Sequence, residues 1–386
     1  MGLALFGSTG SIGRQVLEVV DSLDERVTIV ALVSGGANLG LLAEQIRKYR
    51  PRYVGIAKDC VAELKQLLGD FQSGQLVCGA DELEELARLR ETSLVVNAVT
   101  GAVGLRYSLA ALRAGKRLAL ANKESLVIGG HLVRSYVGGG GETMIIPVDS
   151  EHSAIFRCLE SSVLPLEKLI LTASGGPFWR WSTEQLASVT PDMALTNPNW
   201  TMGPRVTVDS ATMVNKGLEV IEAHWLFNVP YEQIGVLVHE QSIVHSMVQF
   251  SDGSILAQLA VPDMRIPIQY ALTWPEGSAT NWPRVDWSQV PNLSFAPPDY
   301  DRFPGLKLGY QAGLSGGSMP AVYNAADEMA VRLFLEGRIG FQDMARLIEL
   351  AMEKHEVIKE PSFDEIVLVD QETREMVTRE ASRFSR

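Results

Sequence analysis

Three carboxylates stand in two separate segments of the chain. Asp149 and Glu151 occur in Pro147-Val-Asp-Ser-Glu-His-Ser153, and Glu219 closes Asp209-Ser-Ala-Thr-Met-Val-Asn-Lys-Gly-Leu-Glu219. Carboxylate oxygens suit a hard divalent cation, so the set points to Mg²⁺ or Mn²⁺ rather than to zinc. An extended chain places alternate side chains on one face, so Asp149 and Glu151 are expected to aim at one point from the end of a strand. The second segment reads as a helix capped by Asp209. Spacing of i and i+4 puts Asn215 and Glu219 on one of its faces, and its first turn offers N–H groups to an anion. Acidic residues more often face water, and a helix bearing Asn, Lys and Glu can simply present a solvated side. Placement favours a site. Asp149 follows the apolar run Met144-Ile145-Ile146, and the helix carries Met213, Val214, Leu218, Ile221 and Trp225 for burial.

These residues need elements to position them, and the N-terminus begins with one. Leu3-Ala-Leu-Phe6 reads as an apolar strand, Gly7-Ser-Thr-Gly-Ser-Ile-Gly13 as a glycine-rich turn, and the following residues as an amphipathic helix. That order suits a dinucleotide: glycines permit the tight turn and close approach of backbone to pyrophosphate, and the helix N-terminus receives the charge. Glycine also marks ordinary strand-to-helix turns, but a second strand over 27–33 supplies the expected context. This strand runs into Ser34-Gly35-Gly36-Ala37-Asn38, with no carboxylate to repel a 2′-phosphate, which favours NADPH over NADH. Two further apolar strands lead into Asn97 and into Asn122-Lys123-Glu124. Strand ends of an open parallel sheet face the ligand crevice, so Asn122, Lys123 and Glu124 are expected to border cofactor and substrate.

With 386 residues, 46% of them hydrophobic, the chain is expected to be a globular protein with two or three cores. Its net charge of −12 argues against nucleic-acid binding, which calls for a basic face. Cys60, Cys78 and Cys158 have no metal-ligand spacing and fit free thiols in a reducing compartment. No stretch is long enough for a membrane span, and a strand starting at residue 3 leaves no room for a targeting peptide. The expected location is the cytoplasm.

The expected fold is α/β. An N-terminal doubly wound, Rossmann-like parallel sheet over 1–148 binds NADPH; an α+β catalytic domain over 149–273 holds metal and substrate and carries a lid loop at 195–204. Residues 274–299, rich in Pro, Trp, Asn and Ser, read as a linker, and 300–386 as a C-terminal helical bundle. Within the second region, Lys168 to Ser174 reads as a strand with a Gly175-Gly176-Pro177 turn able to hold phosphate. Further strands are expected near 235–238 and 254–259. His152, His224, His239 and His245 are scattered and read as structural histidines.

In these segments the chain closely resembles the 1-deoxy-D-xylulose 5-phosphate reductoisomerases. The likeness runs through Gly7 to Gly13, Ala121-Asn-Lys-Glu-Ser125, Asp149-Ser-Glu-His-Ser153, Ser174-Gly-Gly-Pro-Phe178, Pro198-Asn-Trp200 with Met202-Gly203, the 209–219 segment, and Gln241-Ser242 before His245-Ser-Met-Val248. The resemblance implies a homodimer that rearranges a sugar phosphate and reduces it with NADPH. It further implies that Thr9, Gly10, Ser11, Ile12, Asn122, Glu124 and Gly203 contact NADPH. Gly36, Ala37 and Asn38 fall at the 2′-phosphate positions. Asp149, Glu151 and Glu219 match the metal ligands; Lys123, Ser150 and Glu151 match substrate contacts near the reacting carbons. Ser174, Ser210, Asn215 and Lys216 match the phosphate set, and Trp200 the lid aromatic. Another NAD(P)-dependent sugar-phosphate or semialdehyde dehydrogenase is the alternative, as is a non-catalytic cofactor sensor; neither needs a site of three carboxylates.

The chain departs from the family pattern at several positions. Asn197 stands where the lid usually has a histidine that helps to hold substrate, so weaker substrate binding is expected. The 34–38 loop is one residue longer than usual and lacks a base at Ala37. Glu240 replaces the proline that usually precedes Gln-Ser.

Overall fold

The computed structural model describes residues 1–23, 26–72, 74–136, 144–197, 200 and 202–384. Pro198, Asn199 and Thr201 of the expected lid lie outside the described residues. The chain divides into two units. The first comprises Met1–Ser125, Ser135–Ser153 and Met264–Trp282, and the second Leu126–Arg134, Ala154–Asp263 and Pro283–Arg386.

The first unit is built on seven strands: β1 (Gly2–Phe6), β2 (Thr28–Ser34), β3 (Tyr53–Ile56), β4 (Gln75–Val77), β5 (Leu94–Asn97), β6 (Arg117–Leu120) and β7 (Ile145–Pro147). They pair in the order β4-β3-β2-β1-β5-β6-β7, and all pairings are parallel. Helices cover such a sheet on both faces, which is why β1 and β5 read as unbroken apolar runs. The register sets Phe6 opposite both Val33 and Asn97, Asn97 opposite Leu120, and Leu120 opposite Pro147. The carboxyl ends are therefore level. Gly7, Ser34, Asn97, Asn122 and Asp149 all leave the sheet along one edge, and chain order reverses between β1 and β5, the place where doubly wound sheets bind ligands.

Helix α1 (Ser11–Asp21) buries Val16, Leu17, Val19 and Val20 against this sheet, the stripe that a 3.6-residue period dictates. Gly13 packs onto the turn so closely that a Cβ there would stand 2.7 Å from Ser8 Cα. Helix α2 (Leu39–Tyr49) starts at Asn38, whose side-chain oxygen accepts the Leu41 N–H at 3.0 Å. Residues 274–282 are held by this unit: Trp282 Nε1 donates to Gln269 at 2.7 Å, and Arg117 donates to the Trp274 carbonyl at 2.7 Å.

The second unit holds β8 (Leu166–Ala173), β9 (Ile234–Val238), β10 (Val244–Phe250) and β11 (Ile255–Leu259) in the order β11-β10-β8-β9. Only β8 and β9 run parallel. Helix α3 (Ser150–Glu160) starts in the first unit and runs into the second. Beyond it lie α4 (Pro204–Thr212), α5 (Val214–Phe227), α6 (Gly305–Ser315), α7 (Met319–Leu335), α8 (Phe341–Lys354) and α9 (Phe363–Glu380). Gly217 and Gly309 let α5 and α6 cross in contact; a Cβ on Gly309 would lie 2.5 Å from Gly217 Cα. A Ser362–Glu365 capping box starts α9. Among the described residues no helix is long and apolar enough to cross a membrane.

Two local expectations fail here. Asp149 and Glu151 do not lie on extended chain, because β7 stops at Pro147 and Ser150 opens α3, which puts Glu151 in a first helical turn. Asp209 is not a cap. The expected single helix is two, α4 and α5, with Asp209 inside α4 and Met213 between them at φ 63°, a left-handed conformation that breaks the helix.

A network of charges ties α4 to the C-terminal helices. Arg205 of α4 pairs with Glu328 at 2.8 Å and Asp327 at 3.3 Å on α7, and Arg374 of α9 pairs with Glu328 at 2.6 Å. Burial pushes the Asp327 carboxyl up to about 6; Arg205 pulls it down and Glu328 adds to the rise. A raised carboxyl binds its proton more tightly in the folded state, so its contribution to stability is complete below pH about 4 and is lost as pH rises through about 6. Thermal unfolding of Asp327→Asn and of the parent should therefore diverge with pH, the Tm difference moving in favour of Asn between pH about 4 and 7. A difference that is constant with pH would refute this.

Candidate active site

At the nucleotide end, Gly7 takes φ 86° and lies against the Ala98 backbone, where any Cβ would collide. Gly10 caps α1 with no side-chain hydrogen bond, and the first turn holds no acidic residue. The N–H groups of Ser11 and Ile12 are thus aimed off the sheet edge, as a pyrophosphate needs. Thr9 Oγ1 lies 2.9 Å from Ser34 Oγ and ties this turn to the end of β2.

The 34–38 loop is shaped from within. Ser34 Oγ accepts the Gly36 N–H at 3.3 Å, Gly36 has φ 96°, and Asn38 spends its oxygen on capping α2. Ala37 is exposed. Asn122 and Glu124 are both buried, hydrogen-bonded to one another at 2.7 Å, and both reach the loop that follows β5. Asn122 Nδ2 donates to the carbonyls of Val99 and Gly101 at 3.0 and 3.1 Å, and Glu124 accepts the Gly101 N–H at 3.0 Å. Their first task is to fix the loop that follows β5. Lys123, between them, reaches Asp149 with 2.6 Å between Nζ and Oδ2. Ser150 Oγ donates to Glu151 at 2.5 Å.

In the second unit the phosphate candidates cluster in two places. Ser174 and Ser210 hydroxyls stand 3.5 Å apart. Gly175 and Gly176, at φ 80° and 70°, let the loop after β8 press on α4; a Cβ on Gly176 would lie 2.8 Å from Ala211 Cα. On α5, Asn215 donates to Glu219 at 2.5 Å, and the Lys216 ammonium pairs with the other Glu219 oxygen. Lys216 and Glu219 are 4% and 1% exposed, so each charge is largely withdrawn from water and relies on the other. Asp149 and Glu151 belong to the first unit and Glu219 to the second.

Near the expected lid, Asn197 Oδ1 accepts the N–H of Trp200, three residues on, at 3.0 Å. The Trp200 ring meets His245 edge-on with centroids 5.9 Å apart. His245 is thus beside the candidate lid aromatic, and the Gln-Ser pair before β10 is the sequence signal for that placement. Arg205 has no such signal, because its partners on α7 are remote in sequence.

Three family profiles cover most of the chain. Residues 3–130 match 1-deoxy-D-xylulose 5-phosphate reductoisomerase, 145–227 match its C-terminal domain, and 259–376 match the DXP reductoisomerase C-terminal domain. The 1-deoxy-D-xylulose 5-phosphate reductoisomerase of Heliobacterium modesticaldum is 53% identical over 97% of this chain and 96% of its own. The chain belongs to the 1-deoxy-D-xylulose 5-phosphate reductoisomerase family. That of Pelotomaculum thermopropionicum is 50% identical over 97% of both chains. Among solved structures, the Zymomonas mobilis reductoisomerase in complex with NADPH has 39% identity and a TM-score of 0.89, covering 98% of each chain. A second, in complex with NADPH, fosmidomycin and magnesium, has 35% identity and a TM-score of 0.92, covering 99% of this chain and 98% of its own.

Membership in this family gives this hydrogen bond a measurable consequence. Asn197→Ala releases the Trp200 N–H and should raise KM for the sugar phosphate by about threefold to tenfold, with a smaller effect on kcat. Asn197→His should lower KM below that of the parent chain. Steady-state kinetics on the two variants decide it, and a histidine variant that binds no tighter would remove Asn197 as the cause of weak binding.

Proposed function

We propose that this chain rearranges 1-deoxy-D-xylulose 5-phosphate and reduces the product with NADPH to 2-C-methyl-D-erythritol 4-phosphate, in the non-mevalonate route to isoprenoids. The observation that carries the reading is identity of 53% with a reductoisomerase over nearly the whole length of both chains. The donor sets agree with the groups the reaction needs: a glycine turn opening an uncapped helix for NADPH, and carboxylates of the kind Mg²⁺ and Mn²⁺ prefer.

Asp149, Glu151 and Glu219 are our proposed ligands for the divalent cation. When bound, the cation supplies Lewis-acid polarisation of the hydroxyketone and NADPH supplies the hydride. The remaining work falls to the chain. Ser174, Ser210, Asn215 and Lys216 grip the phosphate, a handle remote from the reacting carbons whose binding energy fixes the orientation of the substrate. Lys123 and Ser150 donate hydrogen bonds to substrate oxygens, and Trp200 covers the substrate against water. Gly36, Ala37 and Asn38 receive the 2′-phosphate through backbone and amide groups in place of a base.

We extend the proposal to a homodimer in the cytoplasm. Strand β11 is an edge of its sheet, and Ile255, Leu256 and Leu259 on it are exposed. An uncovered apolar edge strand invites pairing with a second copy. Cys60, Cys78 and Cys158 are free thiols, as a reducing compartment allows.

Absorbance of NADPH should fall when 1-deoxy-D-xylulose 5-phosphate is added with Mg²⁺ or Mn²⁺, and a chelator should abolish the change. Glu219→Gln should lower kcat by at least about a hundredfold. Oxidation that survives chelation would favour a plain dehydrogenase, and light scattering at the mass of a monomer would remove the dimer.

A further inference from the structure

The phosphate-gripping residues stand on two helices that meet at a bend. Ser210 lies near the end of α4, Asn215 and Lys216 lie in the first turn of α5, and Met213 between them holds φ 63°. One residue in the left-handed region does not fix the angle between two helices, since each arm can swing about the joint. Here each arm is fastened to α7, and both fastenings are inside the second unit.

The α4 arm is held by Arg205. Its guanidinium reaches Glu328 at 2.8 Å, Asn324 at 2.9 Å and Asp327 at 3.3 Å on α7, and Asp209 of its own helix at 3.4 Å. Asn324, Asp327 and Asp209 are almost wholly buried, so the contact is a built one rather than a surface ion pair. Glu328 is itself held by Arg374 from α9, which fixes the far side of the clamp. The α5 arm is held by Tyr323, one turn of α7 earlier. Its hydroxyl donates to the carbonyls of Gly305 at 2.9 Å and Val214 at 3.3 Å, and Val214 is the first residue of α5. The Tyr323 hydroxyl also lies where a Cβ on Gly217 would fall, which leaves α5 no room to rotate toward α7.

We propose that α7, acting through Arg205 and Tyr323, sets the angle between α4 and α5 and thereby the spacing of Ser210 from Asn215 and Lys216 around the substrate's phosphate. The inference rests on the reading of those three residues as phosphate ligands. Arg205 and Tyr323 spend their polar groups on protein partners, so they act as positioning residues, and the C-terminal helix α7 supplies the anchor for a site on other elements.

A double-variant cycle on the full-length protein tests this. Arg205→Met should raise KM for 1-deoxy-D-xylulose 5-phosphate by about tenfold or more, and Arg205→Lys by less, with kcat changed far less than KM. Because Arg205 acts through Ser210, Ser210→Ala should add little in the Arg205→Met background, whereas Asn38→Ala, at the nucleotide end, should act independently there on KM for NADPH. Tyr323→Phe removes one hydroxyl from an intact core and should raise the sugar-phosphate KM by about threefold, so the test stands even where Arg205→Met folds poorly. Full additivity with Ser210→Ala, or an unchanged KM alongside a lowered Tm, would make the clamp structural only and overturn the proposal. Parent protein that neither turns over nor binds the sugar phosphate would overturn the underlying reading instead, an outcome visible before any variant is made.

Discussion

Glu219 is a carboxylate with 1% of its surface exposed, and the catalytic half of the chain is organised around making that tolerable. A buried charge must be paired and hydrogen-bonded, and removing one partner of such a pair costs about 3–5 kcal/mol. Lys216 and Asn215 supply the pairing from the turn before it on the same helix. The same two residues are suited to a phosphate. Under the proposed function the arrangement would couple two jobs, since the groups that balance Glu219 in the folded chain are the ones assigned to the anionic substrate, and a cation held by the carboxylate would supply the balance instead. Burial also explains why α5 cannot be an ordinary amphipathic helix. It buries Lys216, Glu219 and Glu222 along with Val214, Leu218, Val220 and Ile221, and close contact with α6 at Gly217 shuts out water.

The parts that the sequence made legible are those where one residue type has one common use. The apolar runs of β1, β2, β5 and β6, the spacing of Gly7, Gly10 and Gly13, and the stripe of α1 all report directly on a doubly wound sheet. Strands β3 and β4 are short, four and three residues, and carry too little pattern to be read. In β10, Val244-His-Ser-Met-Val-Gln-Phe250, alternation is interrupted by polar groups; His245 and Ser246 are adjacent and both buried. In the site, residue identities were legible and backbone shape was not. Asp149 stands before a helix whose start was legible, an Asp at the cap position with Glu151 in the first turn and Ala154, Ile155, Cys158 and Leu159 at helical spacing, and the apolar run before it masked that signal by suggesting extended chain. The break at Met213 rests on a left-handed methionine, which nothing in the local sequence announces.

Departures from the family pattern fall where the structure leaves room for them. In the 34–38 loop Ser34, Gly36 and Asn38 are each committed: Ser34 to the Gly36 N–H, Gly36 to a conformation in which a Cβ would lie 2.5 Å from Cys60 Sγ, and Asn38 to capping α2. Gly35 has nothing within 4 Å of where its Cβ would be, so the loop is open at that position. Ala37 is exposed and carries no structural duty. Loss of a base there alters what the loop presents to a phosphate and not how the loop folds. Glu240 is a similar case, since Arg180 meets it at 3.0 Å on an exposed surface where such a pair contributes little to stability.

Asn197 is different, because the side chain is engaged in shaping the backbone that carries Trp200. An imidazole extends farther from its own backbone than a primary amide does, so a histidine at this place has the longer reach, whereas the shorter amide accepts the nearby Trp200 N–H. The substitution thus exchanges reach for local order. A segment whose backbone is already held by its own side chain loses less conformational entropy when it orders around a ligand, and this gain offsets part of a contact given up. Such an offset acts on affinity alone, and an amide at 197 is not a donor of the kind a divalent cation prefers, so the position can vary without altering the proposed metal ligands.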